Sequence, residues 1–550
     1  MGKLSICKAC GKTLWLFGVF FLFSNLAFTQ DSKKFAVFFS DKQLTPFSIA
    51  KPEAFLSQRA LVRRMHQRIP IGWNDIPVVQ SYVDSIASTG VNIYNRSRWL
   101  NFITIDTTGA PNAMKKIGQF PFVKSHKPVG DVLLGPPTMK LPPSGDINYG
   151  TSEKQASLIG AECLHKKGYR GAGMVIAVID DGFYHANSLP LFDSLWYNNQ
   201  ILGTKDFSAP GSNVFEEDTH GMCVLSTMGG NMNGTLVGTA PKASFWLLRS
   251  EVAATENMIE EYNWVAAAEF ADSVGADIIT SSLGYTTFDN PAQNQTYADM
   301  NGRTAVCSVA ATIAAEKGIV VLVAAGNSGA TNWHYIGAPA DADSILSVGA
   351  VNGSGVKASF SSFGPTVDQR VKPDVMAVGA NAIIAKPNGG INPANGTSFA
   401  TPELAGAVAC LWQANPFSKN MDIVRAVQQS ASQYTSPDSA MGYGIPNVCK
   451  ASDLLGNQLL SSEIQHDSLW IYPNPFQDGI NVFYYTDTDN YYQVELYDRQ
   501  GKLLYNGIDQ GIGKQYNVVN IGNIAGMPAG LYLLRLSNST FSYQRKIIKF

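Results

Sequence analysis

The chain has 550 residues, only 15% of them charged, and its formal net charge is -2. This length predicts two to four domains. Because no block of like charges stands out, the composition excludes a typical nucleic-acid-binding protein.

The first predicted element is an export signal at residues 1–29. Lys3, Lys8 and Lys12 precede the apolar run LWLFGVFFLF, and small or polar residues follow it. The run is too short for a membrane span with flanks of its own, so we expect its removal; an uncleaved anchor is the alternative. Five of the seven cysteines lie beyond it, which allows one disulfide but predicts no disulfide framework.

Residues 30–128 predict a small α+β unit. KKFAVFFS is typical of a strand, PEAFLSQRALVRRMHQR and VVQSYVDSIASTG are typical of helices, and VNIYNRSRWLNFITIDT predicts two alternating strands. PNAMKKIGQFPFV adds a helix and a short strand. Residues 129–152 are rich in Pro and Gly and lack periodicity, so they predict an exposed linker.

Residues 153–456 alternate continuous apolar runs with helical patterns. The runs are MVIAVI (174–179), ASFWLLR (243–249), ADIITSSL (276–283), GIVVLVAAG (318–326) and SILSVGAV (344–351). Strands buried on both faces have such runs, so the pattern predicts a three-layer, doubly wound α/β domain with a parallel sheet. Functional sites in such sheets lie at the carboxyl ends of the strands.

Residues 466–550 change character. YYQVELYDRQGKLLYN alternates through a turn, and GLYLLRLSNSTFSYQRKIIKF predicts a second strand pair. Several short strands with turn signals predict a small β-sandwich.

Four polar residues occupy the ends of elements in the 153–456 region. Asp180 follows the run MVIAVI, His220 opens a helix in DTHGMCVLS, Asn327 follows VLVAAG, and Ser398 lies in NGTSFATPELAG before an apolar run. Each has an ordinary alternative, such as a turn residue or a helix N-cap at Thr397 or Ser398. Asp181 competes with Asp180, but we expect its side chain to point the other way because strand positions alternate.

Together these residues resemble the subtilisin-like serine proteases, or subtilases. The motifs that carry the resemblance span most of 153–456; they are AVIDDG, DTHGMCVLS, SSLG, AAGNSG, ASFSSFGP, KPDVMAVG and NGTSFATPELAG. The resemblance implies Ser398 as nucleophile, His220 as general base, Asp180 as the acid that orients it, and Asn327 as oxyanion donor. It implies a secreted endopeptidase that forms an acyl-enzyme with polypeptide substrates.

The resemblance also implies a peptide cleft. Its walls are expected at Ser282, Leu283, Gly284, Ala325 and Gly326. We expect no cofactor in catalysis and no metal site; structural calcium, which many subtilases bind, has no visible loop pattern here. Asp181 replaces the usual small hydroxyl residue, and its charge would favour a protonated His220. Cys223 is expected to be a buried, inert thiol rather than a second nucleophile.

The flanking segments carry resemblances of their own. The unit at 30–128 resembles subtilase propeptides, which assist folding and block the cleft until removed; an unrelated accessory domain is the alternative. IYPNPF (471–476), ELYDRQGKLL, AGLYLLRL (529–536) and RKIIKF resemble a type IX secretion sorting domain. This implies passage to the surface of a Gram-negative bacterium, with the propeptide and the secretion machinery as partners. We expect the protein to be a monomer. The rival for this segment is a carbohydrate- or protein-binding sandwich.

Two other functions have different sequence requirements. An α/β-hydrolase esterase needs G-x-S-x-G and the order Ser, acid, His, which this chain lacks. A catalytically inactive surface adhesin on the same fold is the remaining alternative. A reagent that acylates activated serines separates both from a protease.

Overall fold

The computed structural model describes residues 33–130, 147–461 and most of 469–549. Within the last range it omits 473–475, 477–478, 487, 512–514, 523, 525 and 541. The expected export signal and most of the expected linker lie outside the described residues. The domain boundaries assigned from the sequence stay predictions.

The first unit combines a four-stranded antiparallel sheet with three helices, as expected for an α+β unit. Its sheet order is β2-β3-β1-β4. Its elements are β1 (Lys34–Phe39), α1 (Gln58–Gln67), α2 (Gln80–Ala87), β2 (Asn92–Ser97), β3 (Phe102–Asp106), α3 (Ala113–Ile117) and β4 (Val123–Pro128). Helix α1 begins where the Ser57 hydroxyl accepts a hydrogen bond from the Ala60 N–H, a standard N-cap.

The second unit is built on a seven-stranded parallel sheet with the order β13-β12-β11-β10-β5-β9-β6. The strands of this unit are β5 (Val175–Asp180), β6 (Ile201–Asp206), β7 (Asn231–Met232), β8 (Leu236–Val237), β9 (Ser244–Arg249), β10 (Ile278–Ser281), β11 (Val320–Ala324), β12 (Leu346–Asn352), β13 (Val375–Ala380), β14 (Ala382–Ala385) and β15 (Ile391–Ala394). The pairs β7–β8 and β14–β15 are separate antiparallel hairpins.

Helices cover both faces of the parallel sheet. They are α4 (Glu153–Ser157), α5 (Ala161–Lys166), α6 (Asp193–Tyr197), α7 (His220–Gly229), α8 (Ile259–Val274), α9 (Val306–Glu316), α10 (Thr397–Ala414), α11 (Asn420–Ser430) and α12 (Val448–Ser461). Along β5, Ile176 and Val178 pack toward α7 and α10, whereas Val175, Ala177 and Ile179 pack toward α8 and α9. Both faces of the strand are therefore buried, which explains its continuous apolar run.

The third unit has two antiparallel sheets, as expected. Its strands are β16 (Leu469–Tyr472), β17 (Ile480–Thr486), β18 (Asn490–Tyr497), β19 (Leu503–Gly511), β20 (Gln515–Ile521), β21 (Gly530–Ser537) and β22 (Ser542–Lys549). The sheet orders are β16-β17-β20 and β19-β18-β21-β22. Alternate residues such as Val482, Val494 and Leu534 form the core between the sheets.

Three features add to the sequence analysis. Strand β6 is the edge strand of the parallel sheet next to β9, and the hairpin β14–β15 leads into α10. A disulfide joins Cys163 of α5 to Cys449 of α12. In the part of the chain that the structure describes, helices with the length and apolarity needed to span a membrane are absent.

Candidate active site

The predicted residues lie along one edge of the parallel sheet. Strand β5 ends at Asp180, β10 ends one residue before Ser282, and β11 ends three residues before Asn327. The carboxyl ends of parallel strands share an edge, and β11, β10 and β5 are neighbours in the sheet. The three strand ends therefore lie in one region. Helices α7 and α10 begin there with His220 and Thr397.

Asp180 and His220 form a direct pair. His220 Nδ1 lies 2.7 Å from Asp180 Oδ1, with Asp180 fully buried and 29% of the His220 side chain exposed. Since a carboxylate accepts, Nδ1 carries the proton and Nε2 is the nitrogen left to accept one. A Cβ at Gly221 would lie 2.9 Å from the Asp180 Cβ, so glycine permits the close approach of α7 to β5.

Ser398 is the second residue of α10 and is 8% exposed. Its Oγ donates to the Ser282 carbonyl at 3.3 Å, and the Ser282 hydroxyl donates to the Ser398 carbonyl at 2.8 Å. Phe399 directly follows Ser398, and the centroid of its ring lies 5.9 Å from the centroid of the His220 ring. The helix starts of α7 and α10 are therefore neighbours, while Ser398 Oγ bonds to Ser282 rather than to His220 among the described contacts.

The helix-cap alternative for Thr397 and Ser398 is wrong. The N-cap of α10 is Gly396, which has no side chain to act as a cap. The Ser398 N–H lies in the first turn, where helix N–H groups lack intrahelical acceptors. Ser398 therefore combines a hydroxyl with an unshared N–H at the positive end of an 18-residue helix.

Asn327 is held with its amide oxygen toward α10. Its Oδ1 accepts from the Thr397 N–H at 2.9 Å and from the Thr397 hydroxyl at 3.0 Å. The Gly326 N–H in turn donates to Thr397 Oγ1 at 3.2 Å. These contacts leave the Asn327 Nδ2 group pointing away from Thr397 as a donor.

The expected cleft residues divide into two kinds. Gly284 is exposed and Leu283 is half-buried, and the next residue, Tyr285, exchanges main-chain hydrogen bonds with Ala338 at 2.7 and 3.2 Å. Ala325 is fully buried, and its N–H donates to the Val348 carbonyl at 3.0 Å. Ala325 thus contributes to the sheet, whereas 283–284 offer an accessible main chain.

Nearby carboxyl groups determine the pKa of His220 in its pair with Asp180. Burial lowers the pKa of His220, but the charge and hydrogen bond of Asp180, with Asp181 and Asp218, outweigh it and raise the pKa to about 9. The neutral imidazole that can accept a proton therefore becomes more populated as pH rises. Burial and nearby carboxylates raise the pKa of the Cys223 thiol to about 12, which agrees with an inert cysteine.

The expected direction of Asp181 is wrong. Strand β5 ends at Asp180, so strand alternation no longer governs the next side chain. Asp181 Oδ1 instead accepts from the Gly221 N–H at 3.3 Å, and its carboxyl lies within hydrogen-bonding reach of Asp180.

Arg249 is a site residue that the motifs missed. Its guanidinium bonds to the Asp181 carbonyl at 2.8 Å, to Asp206 at 2.8 Å and to Glu217 at 3.2 Å, which fixes the loop before His220. It ends β9, so the strand-end rule that found Asp180 applies to it as well.

Carboxyl groups that could hold a cation lie beside the cleft. Glu251, Glu256 and Glu260 each place an oxygen within 4.8 Å of the others. Glu251 accepts from the Tyr285 hydroxyl at 2.6 Å, and burial raises the pKa of Glu256 to about 7. The expectation that catalysis needs no metal stays a prediction.

Comparison with known proteins identifies all three units. Residues 171–444 match the model of the Subtilase family, residues 34–135 the Peptidase S8 propeptide domain of Bacteroidota, and residues 470–550 the Secretion system C-terminal sorting domain.

Individual proteins are similar to part of this chain. The chain is 32% identical over 310 residues to Subtilisin NAT of Bacillus subtilis subsp. natto and to Subtilisin E of Bacillus subtilis (strain 168), covering 56% of this chain and 71% of each relative. A solved structure, the prenylagaramide maturation protease PagA, aligns with a TM-score of 0.43 and 25% identity, covering 54% of this chain and 98% of that one.

Proposed function

Because the chain belongs to the subtilase family, we propose that it is a serine endopeptidase in which Asp180, His220 and Ser398 act as the catalytic triad. It is a peptidase with a propeptide region and a sorting domain, and it is a secreted or cell-surface protein. The observation that carries the proposal is the 2.7 Å pair of Asp180 and His220, which leaves Nε2 to accept a proton beside the start of α10.

In the proposed reaction Ser398 Oγ attacks the substrate carbonyl carbon while His220 Nε2 takes its proton. Asp180 holds the imidazole in the required tautomer and stabilises its positive form. The negative oxygen of the tetrahedral intermediate is bound by Asn327 Nδ2 and the Ser398 N–H. His220 then gives the proton to the leaving amine, and water hydrolyses the acyl-enzyme by the reverse steps.

The proposed substrate is an extended polypeptide. Accessible main chain at 283–284 supplies donors and acceptors next to Ser282, which bonds to Ser398. Such groups pair with a peptide as an added strand would, which favours cleavage within chains.

We expect the unit at 33–130 to hold the enzyme inactive until it is cut away. Its sheet packs on α8, where Ala36, Trp99 and Phe102 share a core with Ile259 and Tyr262. We propose that the peptidase itself makes the cut between this unit and the rest of the chain.

The decisive experiment replaces the nucleophile. We expect Ser398→Ala to lower the rate of peptide hydrolysis by about 10⁶-fold, which is the loss measured when a subtilisin loses its nucleophile. The variant should not be labelled by a fluorophosphonate. Its intact mass should be that of the uncut chain. Ser354→Ala, at an exposed loop serine, is the matched control and should hydrolyse, label and process normally.

Continued labelling of the Ser398→Ala chain would refute the assignment of the nucleophile. Loss of the residues before about 150 from that variant, with no other protease present, would refute self-processing. An unlabelled wild-type chain would favour the inactive adhesin.

A further inference from the structure

Asp180 has one oxygen with two donors and one with none. Oδ1 accepts from His220 Nδ1 at 2.7 Å and from the Asp181 N–H at 3.0 Å. Oδ2 is buried and receives no hydrogen bond from the residues that the structure describes. A buried acceptor without a donor is unfavourable, so a donor at this oxygen has to be sought among its neighbours.

A candidate donor is the carboxyl group of Asp181. It lies within hydrogen-bonding reach of the Asp180 carboxyl, and one atom each of Asp180, Asp181 and His220 lie within 4.8 Å of one another. Asp181 also accepts from the Gly221 N–H, which fixes it at the start of α7. An ionised carboxylate cannot donate, whereas a protonated one can.

The charges around Asp181 favour the protonated form. The titratable or charged groups that face it are Asp180 on β5, Asp218 before α7, His220 and Cys223 on α7, and Arg249 on β9. The Arg249 guanidinium bonds to the main-chain carbonyl of Asp181, to Asp206 and to Glu217, so it does not neutralise the Asp181 carboxylate. The adjoining carboxyl groups of Asp180 and Asp181 therefore share the positive charge of one imidazole, that of His220. Burial together with the charge of Asp180 raises the pKa of Asp181.

We infer that Asp181 is a positioning residue which stays neutral in the working enzyme and donates its proton to Asp180 Oδ2. The inference rests on the proposed function, and it assigns to a carboxylic acid the place that a hydroxyl residue would fill. No covalent bond changes: the proton stays on Asp181 while Asp180 keeps its charge and its bond to His220. The rival arrangement is an ionised Asp181 that stabilises a protonated, inactive His220.

The two arrangements predict different pH profiles. With Asp181 neutral, His220 titrates against Asp180 and Asp218 on the acid side, and activity falls at alkaline pH when Asp181 loses its proton. Asp181→Asn keeps a donor without a titrating group, so it should abolish the alkaline fall and leave the acid limb of kcat/KM in place. With Asp181 ionised, the same variant should move the acid limb down by about one pH unit or more, because a charge beside the imidazole has been removed.

A variant series separates the donor from mere structure. Asp181→Asn and Asp181→Ser both retain a donor, whereas Asp181→Ala retains none and should have about tenfold lower kcat/KM than either. Equal rates in all three variants with wild-type pH limbs would overturn the inference. A downward shift of the acid limb in Asp181→Asn would overturn it as well.

A second measurement does not depend on activity. Infrared spectra of the full chain carrying Ser398→Ala, with and without Asp181→Asn, should differ at neutral pH by the carbonyl band of one protonated carboxylic acid. Absence of that band from the difference spectrum would overturn the inference. If the wild-type chain does not hydrolyse peptides, the proposed function fails, and the infrared result alone decides where the proton lies.

Discussion

At the scale of single residues, the direction of one amide group decides what the site can stabilise. Thr397 donates twice to the oxygen of Asn327, from its N–H and from its hydroxyl. Since the donor and the acceptor of an amide are different atoms on the same carbon, these bonds turn Nδ2 away from Thr397 and leave it to donate to the proposed oxyanion. Thr397 therefore orients the proposed oxyanion donor without touching the substrate.

This orientation predicts a graded mutational series. Removing an oxyanion-hole amide costs subtilisins about 10²–10³-fold in kcat, and we expect Asn327→Ala to behave likewise with little change in KM, because the oxyanion exists only after attack. Thr397→Val, which removes only a hydroxyl, should cost about tenfold. Steady-state kinetics check both.

Thr397→Ser retains the hydroxyl and is the control for that series. It should differ little from the wild type. If Asn327→Ala raised KM and left kcat unchanged, Asn327 would be a binding residue and the oxyanion role would be wrong.

Individual side chains were predictable where one rule governed them. Asp180 and Asn327 follow buried strands, so the strand-end rule and the chain order were enough to single them out. Asp181 was mispredicted because alternation holds only inside a strand, and the strand ends one residue earlier. The network of Arg249 could not be predicted, since its partners, Asp206 at the end of β6 and Glu217 in the loop before α7, are distant in the chain.

At the scale of elements, α10 shows how a helix breaker can serve a site. Pro402 lies inside α10 and has no N–H, so it cannot bond back to the carbonyl of Ser398. The Ser282 hydroxyl donates to that carbonyl instead, at 2.8 Å. One missing helix bond thereby links the start of α10 to the segment that follows β10.

The disulfide between α5 and α12 predicts a stability effect. It closes a loop with a sequence separation of 286 residues, so its removal should release much chain entropy in the unfolded state. For a Cys163→Ser, Cys449→Ser double variant we expect a loss of about 2–5 kcal/mol and a thermal midpoint lower by roughly 5–10 °C. Calorimetry of the oxidised chain checks this.

Reductant supplies the matched control. It should lower the midpoint of the wild type to that of the double variant and leave the double variant unaffected. Equal midpoints for the oxidised wild type and the double variant would contradict a stabilising role.

Elements were predictable in proportion to their periodicity. The five apolar runs became β5, β9, β10, β11 and β12, because burial on both faces leaves an unbroken pattern. Strand β6, with the mixed sequence ILGTKD at the sheet edge, has exposed positions and lacks such a pattern. The disulfide partners could not be chosen from spacing, since pairing depends on where α5 and α12 meet.

At the scale of the whole molecule, the first unit docks on α8 through buried charge as well as apolar contact. Asp272, fully buried on α8, bonds to Arg63 and Arg64 of α1 and to Arg98. Glu269 accepts from the Ser97 hydroxyl and from the main-chain N–H of Arg98 and Trp99. This acidic stripe, Glu269 and Asp272, would face water if the first unit departed.

The domain order was predictable because each unit has its own composition and period. The mode of docking was not. PEAFLSQRALVRRMHQR indicated a helix, and nothing in it showed that its arginines would be buried against a carboxylate more than two hundred positions away. Pairings across such separations are fixed by tertiary structure, not by local pattern.

The docked charges predict how tightly the cut segment is retained. Losing one partner of a buried ion pair typically costs 3–5 kcal/mol, and we expect about 3 kcal/mol for Arg63→Ala because Arg64 and Arg98 still reach Asp272. After processing, the wild-type segment should co-elute with the peptidase in size-exclusion chromatography, whereas the Arg63→Ala segment should separate and active enzyme should appear sooner. Arg96→Ala, at an exposed arginine that bonds to Gln80, should behave as wild type. Equal retention of the Arg63→Ala and Arg96→Ala segments would show that apolar packing on α8, not the arginine cluster, holds the two units together.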